Sequence, residues 1–272
     1  MDTPIRLLVS DIDGTLVRAD KSLASATIAA AKRLIAAGGR MTLISARPPS
    51  GILPLARELG LTSEVGAFNG GTVVALDGTI RVAHRLDAAI SRAAVTKIEQ
   101  AGTTCWAFAD NRWFSSDGTN PHTASERKAS MQEPVLGTDF AALHGRIDKI
   151  VAVTDDRAEM KRLTDRLKAA LGDGANVSNS QTYYCDVTHP LANKGDGIAT
   201  LADAIGVPLA ETASIGDMPN DLPMLARAAL PIAMGQAPDE VKAAAKEVST
   251  SNEEDGVANA IDRFVLPRLA ED

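Results

Sequence analysis

The chain reads as an α/β protein, a Rossmann-like parallel sheet core with an inserted α+β cap domain. Three observations predict this class. Short apolar segments alternate with helical ones at both ends of the chain, as in a parallel sheet covered by helices. The first apolar run, Ile5-Arg6-Leu7-Leu8-Val9-Ser10, opens directly onto Asp11-Ile12-Asp13-Gly14-Thr15. The middle differs in texture: residues 84–188 hold both tryptophans, both tyrosines, both cysteines and His84, His122 and His144.

Residues 5–10 are apolar without alternation, which predicts a strand buried on both faces. A helix follows over 22–37, with Ile28, Ala31, Leu34 and Ile35 on one face and Gly38 at its end. Residues 40–44 form the next strand, which runs into Ser45-Ala46-Arg47-Pro48, and 50–59 form a helix closed by Gly60. Asp77-Gly78 between the apolar runs 72–75 and 79–82 predicts a hairpin.

In the middle segment, helices over 90–101 and 158–171 alternate with strands over 105–109, 112–116, 149–154 and 182–187. The polar stretch 117–129 reads as a loop followed by a short helix. The first rhythm then returns, with a helix over 194–204, a strand over 212–215 ending on Gly216-Asp217, and a helix over 220–228. A strand over 230–234 and helices over 238–246 and 257–269 complete the chain. The expected division is therefore core 1–83, cap 84–188 and core 189–272.

At 272 residues with 45% hydrophobic content there is ample material for a core, and a formal charge of -7 argues against nucleic acid as a partner. A small phosphorylated substrate remains compatible, because a metal ion and one or two lysines supply positive charge locally. Cys105 and Cys185 lack metal-ligand spacing and read as small buried hydrophobes, with their pairing left open. Met1-Asp2-Thr3-Pro4 carries no basic-then-apolar signal, and no apolar run reaches ~18–20 residues. The expectation is a cytoplasmic protein without a membrane partner. Its oligomeric state has no signature.

Four element ends carry polar, phosphate-compatible residues: Asp11 and Asp13, Ser45, Lys194, and Asp217 with Asn220 and Asp221. Singly each has an ordinary reading, as a turn, a helix cap, a solvated lysine or a first-turn acid. Jointly they converge, because a parallel sheet brings the carboxyl ends of its strands to one edge. Two carboxylates one residue apart are costly there unless a cation or a substrate proton uses them.

With Asp11-Ile12-Asp13-Gly14-Thr15, Ser45, Lys194 and Gly216-Asp217-Met218-Pro219-Asn220-Asp221, the chain resembles the haloacid dehalogenase superfamily. Phe68-Asn69-Gly70-Gly71 and Leu222-Pro223-Met224-Leu225 resemble its Cof-type phosphatase branch, which has a large α/β type II cap. The resemblance implies a Mg2+-dependent phosphatase of a small metabolite, such as a sugar phosphate, pyridoxal phosphate or flavin mononucleotide. It implies Asp11 as nucleophile and metal ligand, Asp13 as acid/base that also lends its backbone carbonyl to the metal, and Asp217 as the third ligand. Ser45, Ala46, Lys194 and Asn220 would hold the phosphoryl group, with Asp221 behind the metal water or Lys194. Asn69 and Gly70 are candidates to meet the leaving group; a hairpin-entry turn explains them equally well.

One departure stands out. The second motif in this branch usually reads Thr/Ser-Gly-Arg, and here it is Ser45-Ala46-Arg47. Alanine adds a methyl group and resists positive φ, while its backbone N–H stays available. Two other activities fit part of the pattern: a phosphomutase on the same scaffold, and a receiver-like phospho-accepting signalling module. The acid at Asp13 favours turnover, and the chain is about twice a receiver module's length.

Overall fold

The computed structural model describes residues 4–270. Five parallel strands form one sheet in the order Glu247–Val248, Leu230–Ala233, Thr212–Gly216, Leu7–Ser10, Arg40–Leu43. The strand Leu7–Ser10 is buried on both faces, which explains its unbroken apolar run. Leu8 packs with Ala30 and Leu34 of the helix Ser25–Ala36. Leu7 and Val9 pack on the opposite face with Ile198 and Leu201 of the helix Lys194–Ile205.

The chain leaves Leu7–Ser10 for Arg40–Leu43 on one side and later returns on the other side as Thr212–Gly216. Strand order thus reverses between the first strand and Thr212–Gly216. That switch point is where open α/β sheets hold ligands, because the helices diverge and leave a crevice. Asp11 sits there, its N–H bonded to the Ile215 carbonyl at 3.0 Å.

A second sheet of six strands runs Asn176–Gln181, Tyr184–Thr188, Ile147–Val153, Thr104–Ala109, Arg112–Ser115, Val135–Leu136. Its pairs are antiparallel except the last. Period-two alternation divides its faces. Cys105, Ala107, Ile150, Ala152 and Val187 share a core with Val95, Ile98, Leu163 and Leu167 from the helices Ala88–Gln100 and Arg157–Leu171. Trp106, Phe108, Val151 and Val153 face the other way and join the main core, where Phe108 meets Phe68 at 5.8 Å. Three short strands, Val65–Ala67, Thr72–Val74 and Ile80–Ala83, form a small antiparallel sheet that contains the expected hairpin.

Several boundaries moved for local reasons. The expected final helix is α only over Gly256–Ala260, continues as a π turn over Ile261–Val265 and ends in a 3-10 turn at Leu266–Arg268. Pro267 has no N–H to continue the ladder. The helix expected over 220–228 is a 3-10 turn, Pro219–Asp221, followed by Leu222–Leu225. The helix expected over 238–246 spans Asp239–Ala243. Asn176–Gln181 is a strand that the sequence hides, because only Val177 on it is apolar and buried. Cys105 and Cys185 both lie opposite Ala152, from its two sides. They are therefore about two strand spacings apart, ~10 Å, beyond disulfide reach, and both are free.

Candidate active site

The site is built where the first strand ends. Asp11 is buried, and its Oδ1 accepts from Lys194 Nζ at 2.5 Å. Lys194 opens the helix Lys194–Ile205, whose entry is fixed by the Asn193 side chain accepting the Asp196 N–H at 3.0 Å. The same ammonium donates to Asp221 Oδ1 at 2.5 Å. Asp221 is itself tied back, its Oδ2 accepting the N–H groups of Asp217 and Met218, each at 2.9 Å. This closes the loop after the strand Thr212–Gly216 and aims Asp217 at Asp11.

Asp217 Oδ1 accepts the Thr15 hydroxyl at 2.8 Å. Gly14 has φ +85°, and a Cβ there would lie 2.4 Å from Asp217 Oδ2. Glycine is therefore required both for the left-handed turn and for the carboxylate's position. Carboxylate oxygens of Asp11, Asp217 and Asp221 all lie within 4.8 Å of one another. Burial, the Asp221 charge and the Asp217 charge outweigh Lys194 and push the Asp11 carboxyl up to about 8. Burial, then Asp221, pushes Asp217 up to about 6. Crowded, buried hard oxygen ligands with only one lysine among them fit a divalent cation. A cation would satisfy charges that otherwise favour protons.

Asp13 behaves differently. Its side chain turns to Arg47, which donates from Nε to Oδ2 and from Nη2 to Oδ1, each at 2.7 Å. Lys21 Nζ adds a third contact to Oδ1 at 2.6 Å. Burial alone would raise this carboxyl's pKa, but the Arg47 pair and Lys21 together hold it well below the usual carboxylate range. In this state Asp13 is a committed anion, and its carboxylate lies outside the three-acid cluster.

Ser45 is buried on the cavity wall, with its Oγ accepting the Arg47 N–H at 3.2 Å. Ala46 and Asn220 also line this cavity. Ala46 is absent from the positive-φ residues, so the methyl group imposes no left-handed strain. Its carbonyl accepts Lys149 Nζ at 2.9 Å, a contact from the six-stranded sheet. Asn69 and Gly70 do not line this cavity themselves, but the Asn69 N–H donates to the carbonyl of Ser45 on its wall at 2.7 Å. Both lie in the 3-10 turn Phe68–Gly70, and a Cβ on Gly70 would meet the Gly197 Cα at 2.4 Å. That turn is packed against the helix that carries Lys194.

The cavity's other wall includes Ser125, Glu126, Lys149, Gln181, Tyr183 and Tyr184. Sequence reasoning found none of these, because they come from a helix, three strands and the turn between two of them, with no shared spacing. Arg47 makes its salt link to Asp13. Asp110 and Asn111 occupy a left-handed turn that leads into the buried Trp113. Among the described residues no helix is long and apolar enough to cross a membrane.

A buried acid–lysine cluster at the switch point of a parallel sheet, roofed by a second sheet, defines a hydrolase of phosphoryl-transfer type with a core-plus-cap fold. The chain belongs to the haloacid dehalogenase-like hydrolase family, whose model matches residues 8–261, and it is a phosphoric monoester hydrolase. It is 27% identical to the HMP-PP phosphatase of Citrobacter koseri, over 85% of each chain. It is 25% identical to 5-amino-6-(5-phospho-D-ribitylamino)uracil phosphatase YitU of Bacillus subtilis, covering 97% of this chain and 99% of that one. A solved haloacid dehalogenase-like hydrolase from Bacteroides thetaiotaomicron superposes with a TM-score of 0.87 at 26% identity, covering 96% and 99% of the two chains.

Proposed function

We propose that the protein is a Mg2+-dependent phosphatase that removes phosphate from a small metabolite of the sugar phosphate, pyridoxal phosphate or flavin mononucleotide type. The carrying observation is Asp11: buried, held by Lys194 at 2.5 Å, and facing a cavity beside Asp217. Two relatives named as phosphatases, one of HMP-PP and one of 5-amino-6-(5-phospho-D-ribitylamino)uracil, support a compact substrate. In this reading residues 1–83 and 189–272 are the core, 84–188 are the cap, and the enzyme works in the cytoplasm.

Mg2+ would be held by Asp11 and Asp217 with the Asp13 carbonyl, or with Asp221 as third carboxylate, and would offset the negative charge of nucleophile and phosphoryl group. Lys194 fixes Asp11 Oδ1, which leaves Oδ2 to attack phosphorus. The bond from phosphorus to the leaving oxygen breaks, and that oxygen takes a proton from Asp13. The resulting aspartyl-phosphate is hydrolysed by a water that gives its proton back to Asp13. Ser45, Asn220 and the backbone N–H groups beside Ala46 position the transferring oxygens, and Lys194 offsets their charge. Asp13 can carry a proton only after Arg47 and Lys21 turn from it toward the incoming phosphoryl oxygens.

The test is phosphate release from sugar, cofactor and nucleotide phosphates, with and without Mg2+. Wild type should turn over, and Asp11→Asn should lose on the order of a thousandfold or more. Retention of near-native turnover by Asp11→Asn would end this mechanism. A phosphomutase would instead require a bisphosphorylated activator and release little phosphate.

A further inference from the structure

The cations of the acid cluster and of the adjoining cavity are all engaged. Lys194 holds Asp11 and Asp221, while Lys21 and Arg47 hold Asp13. Lys149 donates to the Ala46 carbonyl at 2.9 Å and lies 4.9 Å over the Phe108 ring. Among the described residues, two cap carboxylates have no such partner. Glu126, from the helix Thr123–Ser130, lines the cavity at 8% exposure and takes part in no ion pair or side-chain hydrogen bond. Asp186, in the strand Tyr184–Thr188, is 1% exposed, and both its oxygens are buried without a hydrogen-bond partner.

These two acids share one environment. Burial raises the Glu126 pKa, with Lys149 opposing and Asp186 adding to the rise. Asp186 lies on the same sheet face as Tyr184, a cavity-lining residue whose hydroxyl is also buried without a partner. Lys149 reaches the same face from the adjacent strand, in register with Thr188. A buried carboxylate without a donor costs several kcal/mol, so natural sites supply one. No third His, Cys, Asp or Glu joins the pair within chelating reach among the described residues, which disfavours a resident metal. Lys149 and Arg47 stand nearest Glu126 but are engaged with the Ala46 carbonyl and Asp13, so neither acid has a donor of its own among the described residues.

We propose that Glu126 and Asp186 are specificity-determining residues that select substrates whose leaving group carries an ammonium group. The substrate would then be a phosphorylated amine, with its phosphoryl end at Asp11 and its cationic end under the cap. Glu126 contacts the ammonium directly. Asp186 stands behind it, with the Tyr184 hydroxyl as a further acceptor. This rests on the phosphatase reading above.

The experiment compares kcat/KM for paired probes that differ by one ammonium group. Glucosamine 6-phosphate against glucose 6-phosphate tests an amino sugar, and 2-aminoethyl against 2-hydroxyethyl phosphate tests an aminoalkyl group. At pH 7 the wild type should favour the amine in at least one pair by tenfold or more, and the stronger pair identifies the source of the amine. Glu126→Gln and Asp186→Asn should each reduce that ratio at least fivefold. Equal rates within both pairs, or variants that leave the ratio unchanged, would overturn the proposal. The wild-type ratio decides the matter even if a variant fails to fold. p-Nitrophenyl phosphate is the control: its hydrolysis without amine preference sinks only this inference, whereas no hydrolysis of any probe sinks the phosphatase reading with it.

Discussion

Arg47 grips Asp13 through two parallel hydrogen bonds of 2.7 Å, one from Nε and one from Nη2. The guanidinium is only 7% exposed and is steadied by the Gly51 carbonyl, which accepts from Nη1 at 3.2 Å. Such a fork–fork pair is directional as well as strong, and it sets the charge state of the proposed acid/base.

Replacing Arg47 should therefore alter both stability and pH response. Arg47→Ala leaves Asp13 partly buried with Lys21 alone, at a cost of about 2–3 kcal/mol at pH 7 by urea unfolding. Asp13 has a depressed folded pKa, so its stabilisation is complete above the unfolded value near ~3.9 and is lost as pH falls below it. The wild-type advantage should hold constant from pH 8 to 5 and shrink only below about pH 4. A gap that widens on acidification would contradict the pairing.

Metal affinity should rise with pH. Asp11 and Asp217 are pushed up to about 8 and about 6, so protons compete with a cation below these values. Calorimetric titration of Mg2+ between pH 6 and 8 should show tighter binding and less proton release at the upper end. Chelation should abolish turnover, and saturating Mg2+ at a hundred times Kd should stabilise the fold by about 2.7 kcal/mol.

Asp148 supplies a separate pH signature. Burial pushes its carboxyl up to about 6 against the opposing charge of Arg85, 3.3 Å away. A raised folded pKa means that the native state binds the proton more tightly, so stability falls as pH rises through about 4 to 6. Asp148→Asn should flatten this part of the curve, with a difference on the order of 2 kcal/mol between the two proteins' changes. Thermal unfolding at pH 4.5 and pH 7 reads it directly.

Gly51 marks where two helices touch. A Cβ there would lie 2.0 Å from the Ala129 carbonyl oxygen, so Pro49–Leu59 and Thr123–Ser130 meet backbone to backbone. Gly51→Ala should force them apart and destabilise by about 1–3 kcal/mol. Amide exchange should speed up in Thr123–Ser130 and stay slow in Leu7–Ser10. Unchanged exchange in that helix would show that the contact does not hold it.

Much of the core was legible because its signals are local. An unbroken apolar run marks Leu7–Ser10, and Asp77-Gly78 marks its hairpin. The strand Asn176–Gln181 was not legible, since a mostly polar segment shows no period. Asn69 and Gly70 belong to a turn whose shape follows from Gly197 on a distant helix, which no local pattern reveals.

By itself the sequence determined the alternation of elements and the polar residues at their ends, since strand period, turn chemistry and motif spacing are written in neighbouring residues. It thereby assembled Asp11, Ser45, Lys194 and Asp217 at one sheet edge. Only the tertiary structure decided that Asp13 is bound by Arg47 and Lys21, that Lys149 reaches the Ala46 carbonyl, and that Glu126 and Asp186 have no side-chain partner among the described residues. Those contacts join residues 8 to 103 positions apart across a folded cavity, where burial and charge act through space rather than along the chain.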